Sequence, residues 1–299
     1  MNTLEDKLLE DFNNGKAVSA EEALLIVSGV ETPEELESYK EKLGQIDSRF
    51  RKWLKSKGAI GGLIDKDYMT LDRARYLFEY LWLSKPKRHG SGYSLTSAIH
   101  RQLDSDINRT VGSCVGLTAL FTVLCMRENI TVFVLASDDH VLNRVKCGGV
   151  SVNVENTDPD GFDKKLDDNS YYELSPSLLA AAILDSRGIE QEKEGKLEGA
   201  LDSFTRAIAI RQDYANAYNN RGNVYFKIGE YERARKDYEN ALRLCPSFAE
   251  ACCNLGLALE RQQKLNDAIY FFEKTLEISP QYEDARRCLE IVAKRRTAV

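Results

Sequence analysis

An α+β domain followed by an all-α array of helical hairpins is the fold class that this sequence predicts. Two observations carry that expectation. Small and aromatic residues recur every 34 residues in the C-terminal third, and a β-branched run at 130–136 is followed by two alternating segments around Gly148-Gly149. The chain of 299 residues has room for two cores, and 43% hydrophobic with 29% charged residues is ordinary for a globular protein. A net charge of −6 with no basic block points away from nucleic acid. The acidic start, Met1 to Asp6, does not read as a signal peptide, and the apolar stretch 111–126 is too short and too interrupted by Gly112, Gly116 and hydroxyl residues to span a bilayer. Seven cysteines without a Cys-x-x-Cys pair read as reduced thiols in a cytoplasmic protein, with no metal and no cofactor expected. Nothing in the sequence sets an oligomeric state.

The repeat occupies 181–282. Gly188, Gly222 and Gly256 form one column, Ala200, Ala234 and Ala268 a second, Phe204, Tyr238 and Phe272 a third, and Leu197, Tyr231 and Leu265 a fourth. Two antiparallel helices approach closely only where one side chain is small, and the aromatic fills the space beside it. Pro246 and Pro280 close the second and third units because proline cannot continue a helix, while Gln212 stands there in the first. No single hairpin buries its apolar face, so the three stack. The segment 283–299, with Ala285, Leu289 and Val292 inward, reads as a capping helix and tail.

The columns, and above all the run Ala217-Tyr218-Asn219-Asn220-Arg221-Gly222-Asn223-Val224-Tyr225, resemble the tetratricopeptide family. The resemblance implies a concave groove, lined by the first helix of each repeat, that takes a protein or peptide partner. Its positions here would be Asp185, Ile189, Asn219, Asn223, Phe226, Lys227, Cys253, Leu257, Glu260 and Arg261. The branch of the family that clamps a C-terminal carboxylate uses Lys, Asn and Arg at set groove positions. Asp185 and Ile189 stand in the first repeat instead, so binding of a chaperone tail is not expected.

The N-terminal part divides into a helical region, 1–70, and an α+β domain, 71–178. Ser19 to Glu22 precedes the apolar run 23–27, and Thr32-Pro33-Glu34-Glu35 starts another helix with proline in its first turn. An aromatic-rich helix at about 71–83, a loop at 85–93 that holds His89, and a short helix at 95–103 with His100 follow. Gly112-Ser113-Cys114-Val115-Gly116 opens a helix with Val115, Ala119, Leu120, Val123 and Leu124 inward. After the strand 130–136, Asp138-Asp139 turns the chain into the hairpin 140–146 and 150–154.

Cys114 thus stands at a helix start, where unpaired amides favour a thiolate, and His140 alone of three histidines opens a strand downstream of it. A two-residue turn at Gly148-Gly149 pairs Cys147 with Val150 and places Leu142 opposite Glu155. His140, Asn153 and Glu155 then share one face, and Val141, Val145, Val150, Val152 and Val154 share the core face. A core thiol at Cys114 and an exposed strand-end charge at Glu155 are the alternative readings.

The order Gly-Ser-Cys114, His140-Val141 and Val154-Glu155-Asn156-Thr157 resembles the transglutaminase-like branch of the papain-type cysteine fold, in which a helix carrying Cys packs on an antiparallel sheet. By that resemblance Cys114 is the nucleophile, His140 the base and Glu155 its orienter. Glu155 replaces the family's Asp, and Val141-Leu142 replaces the aromatic that commonly follows the histidine. Two functions follow as expectations. One is a thiol enzyme that hydrolyses amide or isopeptide bonds or transfers the acyl group, with the repeats holding its substrate. The alternative is a catalytically inactive transglutaminase-like adaptor that mediates protein–protein interaction.

Overall fold

Side chains cap the first helices at the positions their sequence signals mark. Thr3 caps α1 (Leu4–Asn13) in a capping box with Asp6, and Ser19 accepts from the Glu22 amide at the start of α2 (Ala20–Val27). Thr32 and Glu35 form a second capping box on α3 (Pro33–Ser56), with Pro33 in its first turn. α4 (Lys66–Ser84) and α5 (Leu95–Leu103) follow. The computed structural model describes residues 3–57, 66–87, 94–107, 110–137, 140–166 and 171–297. His89 and the Asp138-Asp139 turn lie outside them. The chain forms two units, Met1–Ile183 and Leu184–Val299. No helix among the described residues is long and apolar enough to cross a membrane.

The first unit is built around α6 (Cys114–Arg127), in which every residue from Val115 to Cys125 is buried. A helix apolar on all sides has no solvent face, and α6 accordingly packs against α5, α4, α3 and the sheet. Its C-terminus is closed by a Schellman motif: Asn129 takes φ 56°, and the Ile130 and Asn129 amides donate to the Cys125 and Met126 carbonyls. That use of the Ile130 amide delays the next strand, so β1 covers Val132–Ala136 and not the whole β-branched run.

β2 (Val141–Cys147) and β3 (Val150–Val154) form the expected hairpin, with Cys147 opposite Val150 and Asn143 opposite Val154. Gly148 and Gly149 both hold positive φ, 54° and 82°, the pair of values a twisted two-residue turn requires. A short β4 (Tyr172–Leu174) pairs with β1 and completes an antiparallel sheet of order β3-β2-β1-β4. Val141, Val145, Val152 and Val154 are buried as their face predicts. Val150 is corrected: it is 53% exposed, because it sits at the turn, where the sheet ends.

The second unit is all helix and begins within α7. α7 (Leu179–Lys193) with α8 (Leu197–Ile210), α9 (Ala215–Lys227) with α10 (Tyr231–Leu244), and α11 (Ala249–Arg261) with α12 (Leu265–Ile278) are the three hairpins, and α13 (Glu283–Thr297) packs on the last. Gly195, Gly229 and Gln263 occupy the same left-handed position after the first helix of each hairpin. Without proline the first repeat ends like the others: Arg211, Cys245 and Ser279 each donate to the carbonyl four residues back.

The columns are contacts. A Cβ on Gly188, Gly222 or Gly256 would lie 2.6–2.7 Å from the ring of Phe204, Tyr238 or Phe272 respectively, each ring being buried. Ala200, Ala234 and Ala268 are fully buried. Replacing a helical glycine by alanine gains about 1 kcal/mol of helix propensity, and overpacking costs about 1–3 kcal/mol. At Gly222 the second effect wins, because Tyr238 is held by its hydrogen bond to Asn223 and cannot move aside. Gly222→Ala is therefore expected to lower the urea midpoint of the repeats. Gly199→Ala, whose Cβ meets only the end of the Gln191 side chain at 3.1 Å, should leave it unchanged or raise it. Equal effects at the two positions would contradict this account of the columns.

Candidate functional site

Three rungs fasten α6 to the hairpin, and they set the thiol site. Cys114, Thr118 and Thr122 lie four residues apart and share one helix face. Thr118 Oγ1 donates to the Val141 carbonyl at 3.2 Å, and Thr122 Oγ1 accepts from Asn143 Nδ2 at 2.7 Å. One turn further along, Cys114 lies close enough to His140 to act on its ring. The buried Asn143 also accepts from Asn156 Nδ2 at 2.7 Å, which pins the turn that carries Glu155. Asn143 and Asn156 escaped the sequence reading. The available signal was an amide inside an otherwise apolar strand face, facing a hydroxyl column in an apolar helix.

His140 Nε2 donates to Glu155 Oε2. The other oxygen of that carboxylate accepts from the Thr157 amide at 3.0 Å and the Thr157 hydroxyl at 2.6 Å. The bonds to Cys114 and Glu155 raise the imidazole pKa to about 10, against the opposing effect of burial. Burial by itself would raise the Glu155 carboxyl, but the bonds from His140 and Thr157 bring it below its ordinary value. The structure thus brings Cys114, His140 and Glu155 together. Cys147 belongs to the other face of the hairpin, as the register requires.

In the repeats, Asn223, Phe226, Lys227 and Leu257 line a pocket of about 310 Å³ together with Glu192, Tyr238, Glu250, Asn254 and Tyr282. An amide network forms its floor. Asn254 Nδ2 donates to Asn219 Oδ1 and Asn223 Oδ1 at 3.1 and 3.0 Å, the Tyr238 hydroxyl donates to Asn223 Oδ1 at 2.9 Å, and Asn219 Nδ2 donates to Glu250 Oε1 at 3.0 Å. Lys227 pairs with Glu192 at 2.7 Å.

The remaining groove positions lie elsewhere. Asp185 is buried, accepts from Asn220 Nδ2 at 3.0 Å, and is pushed by burial to a pKa of about 6. Ile189 packs on the Ala200–Phe204–Val224 cluster, and Cys253 is buried in the core. Glu260 pairs with Arg295, and the Arg261 guanidinium lies 5.6 Å from the Phe226 ring centre. The pocket residues missed from sequence are the two carboxylates, Asn254 and the two tyrosines. Glu250 and Asn254 sit one turn apart on α11, a helix whose inward face the 34-residue columns already fix.

Family models described as TPR repeat match residues 193–229 and 222–263, and one described as tetratricopeptide repeat matches 249–290. The C-terminal region therefore carries tetratricopeptide repeats. Among curated relatives, RNA polymerase II-associated protein 3 of Homo sapiens is 41% identical over 119 residues, 38% of this chain and 17% of that protein. Hsp70-Hsp90 organizing protein 1 of Glycine max is 27% identical over 135 residues, 44% of this chain and 23% of that protein. Mitochondrial import receptor subunit TOM70 of Rattus norvegicus is 37% identical over 78 residues, 24% of this chain and 13% of that protein. The chain thus spans less than a quarter of each of these relatives. Among solved structures, the second TPR domain of human RPAP3 in complex with the HSP70 peptide SGPTIEEVD aligns at a TM-score of 0.37 and 35% identity, over 38% of this chain and 94% of that one.

These relatives overturn one expectation. They are named as an associated protein, an organizing protein and a receptor subunit, and the family models matched here are those of a repeat. They go against the expected thiol enzyme acting on amide or isopeptide bonds and favour the alternative, an adaptor for protein–protein interaction.

The raised imidazole gives a direct check on the thiol cluster. A folded-state pKa above the unfolded value of 6.5 means that His140 protonation stabilises the fold fully below pH 6.5, and that this contribution is lost as pH rises through about 10. NMR of the ring nitrogens should show His140 doubly protonated at pH 7.5. Cys114→Ala and Glu155→Gln should each move its titration down toward the ordinary range. A neutral ring at pH 7.5 in the unaltered protein would refute the arrangement.

Proposed function

We propose that this protein is an adaptor that binds a protein or peptide partner on the inner face of its tetratricopeptide repeats. One observation carries the reading: the pocket between Glu192 and Tyr282 is lined mostly from the first helices of successive repeats and floored by a hydrogen-bonded amide network. A site whose polar groups are already fixed loses little entropy on binding. The family models and the RPAP3, organizing-protein and TOM70 relatives support the same direction. In this reading 181–282 is the binding module and 283–299 its cap.

The N-terminal unit is the adaptor's second part, a helical region at 1–70 and a transglutaminase-like domain at 71–178. Its support is the order of Cys114, His140 and Glu155 on a helix start, a strand start and a strand end around an antiparallel sheet. Those three residues are the unit's candidate chemical site. In an adaptor these residues brace α6 against the hairpin. The cytoplasm is the proposed location, consistent with seven unpaired thiols.

Affinity purification with the full chain separates the two parts. Cys114→Ala should retain the partner recovered by the unaltered protein. Asn223→Ala with Leu257→Glu should lose it while keeping the helical circular dichroism signal. Loss on Cys114→Ala with retention on the groove pair would sink the adaptor reading.

A further inference from the structure

The repeat pocket has a charge and a wall chemistry of its own. Its ionisable lining is Glu192, Glu250 and Lys227, the last drawn to the side by Glu192 and about half exposed. Its aromatic walls are Phe226, Tyr238 and Tyr282. Both tyrosine hydroxyls resist ionisation. Burial is the main cause, and Glu250 adds to it at Tyr282, which is pushed up to about 12. At Tyr238, Glu250, Asp237 and Glu192 all add. The same field reaches Cys253, where burial and then nearby acidic and thiol groups, Glu250 among them, raise the pKa to about 12. Phe226 already presents a ring face to one guanidinium, that of Arg261.

Resting on the adaptor reading, we propose that this pocket recognises a cationic side chain, arginine or lysine, in an extended segment of the partner protein. The cation would lie against Tyr282, beside the Glu250 carboxylate, with Leu257 taking an adjoining apolar side chain. Aromatic faces and carboxylates attract a cation together, and each is stronger where water is displaced. The pocket volume of about 310 Å³ is at the small end of the ~300–1,000 Å³ usual for ligand sites, which suits one or two side chains and not a folded surface. A partner's carboxylate would meet Glu250 in the same place, with Lys227 already held by Glu192. Specificity therefore comes from repulsion of acidic segments as well as attraction of basic ones.

The test is selection of a random peptide library displayed on phage by the full chain, with the Asn223→Ala, Leu257→Glu protein used to remove peptides that bind elsewhere. The expected result is a consensus with Arg or Lys at one fixed position. A labelled peptide of that consensus should bind at least tenfold more weakly when the basic residue is changed to Gln. Glu250→Gln, which keeps an oxygen for Asn219, should cost a similar factor, and the two changes together should cost little more than either. Higher salt should weaken binding of the unaltered pair. A consensus with acidic residues or none charged, still dependent on Asn223 and Leu257, would overturn the cation proposal and leave the adaptor reading standing. Recovery of no groove-dependent peptide would count against both.

Discussion

A ring pressed against a bare α-carbon, three times over at intervals of 34 residues, decides the geometry of the repeats. At Gly188, Gly222 and Gly256 the ring stands where a Cβ would be, so the two helices of each hairpin sit closer than any other residue would allow. That spacing turns the first helices inward in register. Asn219 on α9 thereby reaches Glu250 and Asn254 on α11, and the Tyr238 hydroxyl, carried on a second helix, passes the glycine and reaches Asn223. The same contact that closes the core thus builds the pocket floor. Packing and recognition are one constraint here, because the aromatic that fills the core in the second repeat is also a wall of the pocket.

The N-terminal unit solves a different problem. α6 is buried all round, and apolar packing alone would let such a helix slide or rotate by a turn at little cost. The hydroxyls of Thr118 and Thr122 remove that freedom, since each would be left without a partner in the core by a shift against β2. At the far end, Glu128 just beyond α6 is held by Arg51 at 2.7 Å and by Arg73, and Arg127 is held by Glu21. With both ends fixed, Cys114 meets His140 as a consequence of where the helix is allowed to sit.

How much of this could be read from the sequence depends on how each feature is encoded. The hairpin register was legible from Cys147–Val150 to Asn143–Val154, because two glycines fix the turn; beyond that pair β3 ends, and the Glu155 amide donates to Gly161 and not across to β2. The columns were legible because the repeat states them three times. β4 was not: Tyr172-Glu173-Leu174 is three residues long and mostly exposed, and only its pairing with β1 makes it a strand. Val150 was misplaced because alternation assigns a face but cannot say where the sheet ends. The pocket was half legible. Counting inward positions on first helices found Asn223, Phe226, Lys227 and Leu257, but could not show that Asp185 is consumed by Asn220 or Glu260 by Arg295. Which charge is spent inside the protein and which faces the groove is a property of pairs, and pairs distant in sequence leave no periodic trace.

That distinction bears on what a tetratricopeptide groove in this chain can hold. Shape is set by the columns, but the ligand is chosen by the charges left over once internal partners are counted. Asn219 gives one amide hydrogen bond to one oxygen of the Glu250 carboxylate, while Lys227, the cation on the pocket wall, is already turned to Glu192. An acidic tail would have to break the Lys227 pair to gain a counter-charge, then accept Glu250 as a neighbour. A basic side chain needs neither rearrangement. Preorganisation therefore acts in favour of one charge sign, and the preference is built from residues outside the 34-residue columns.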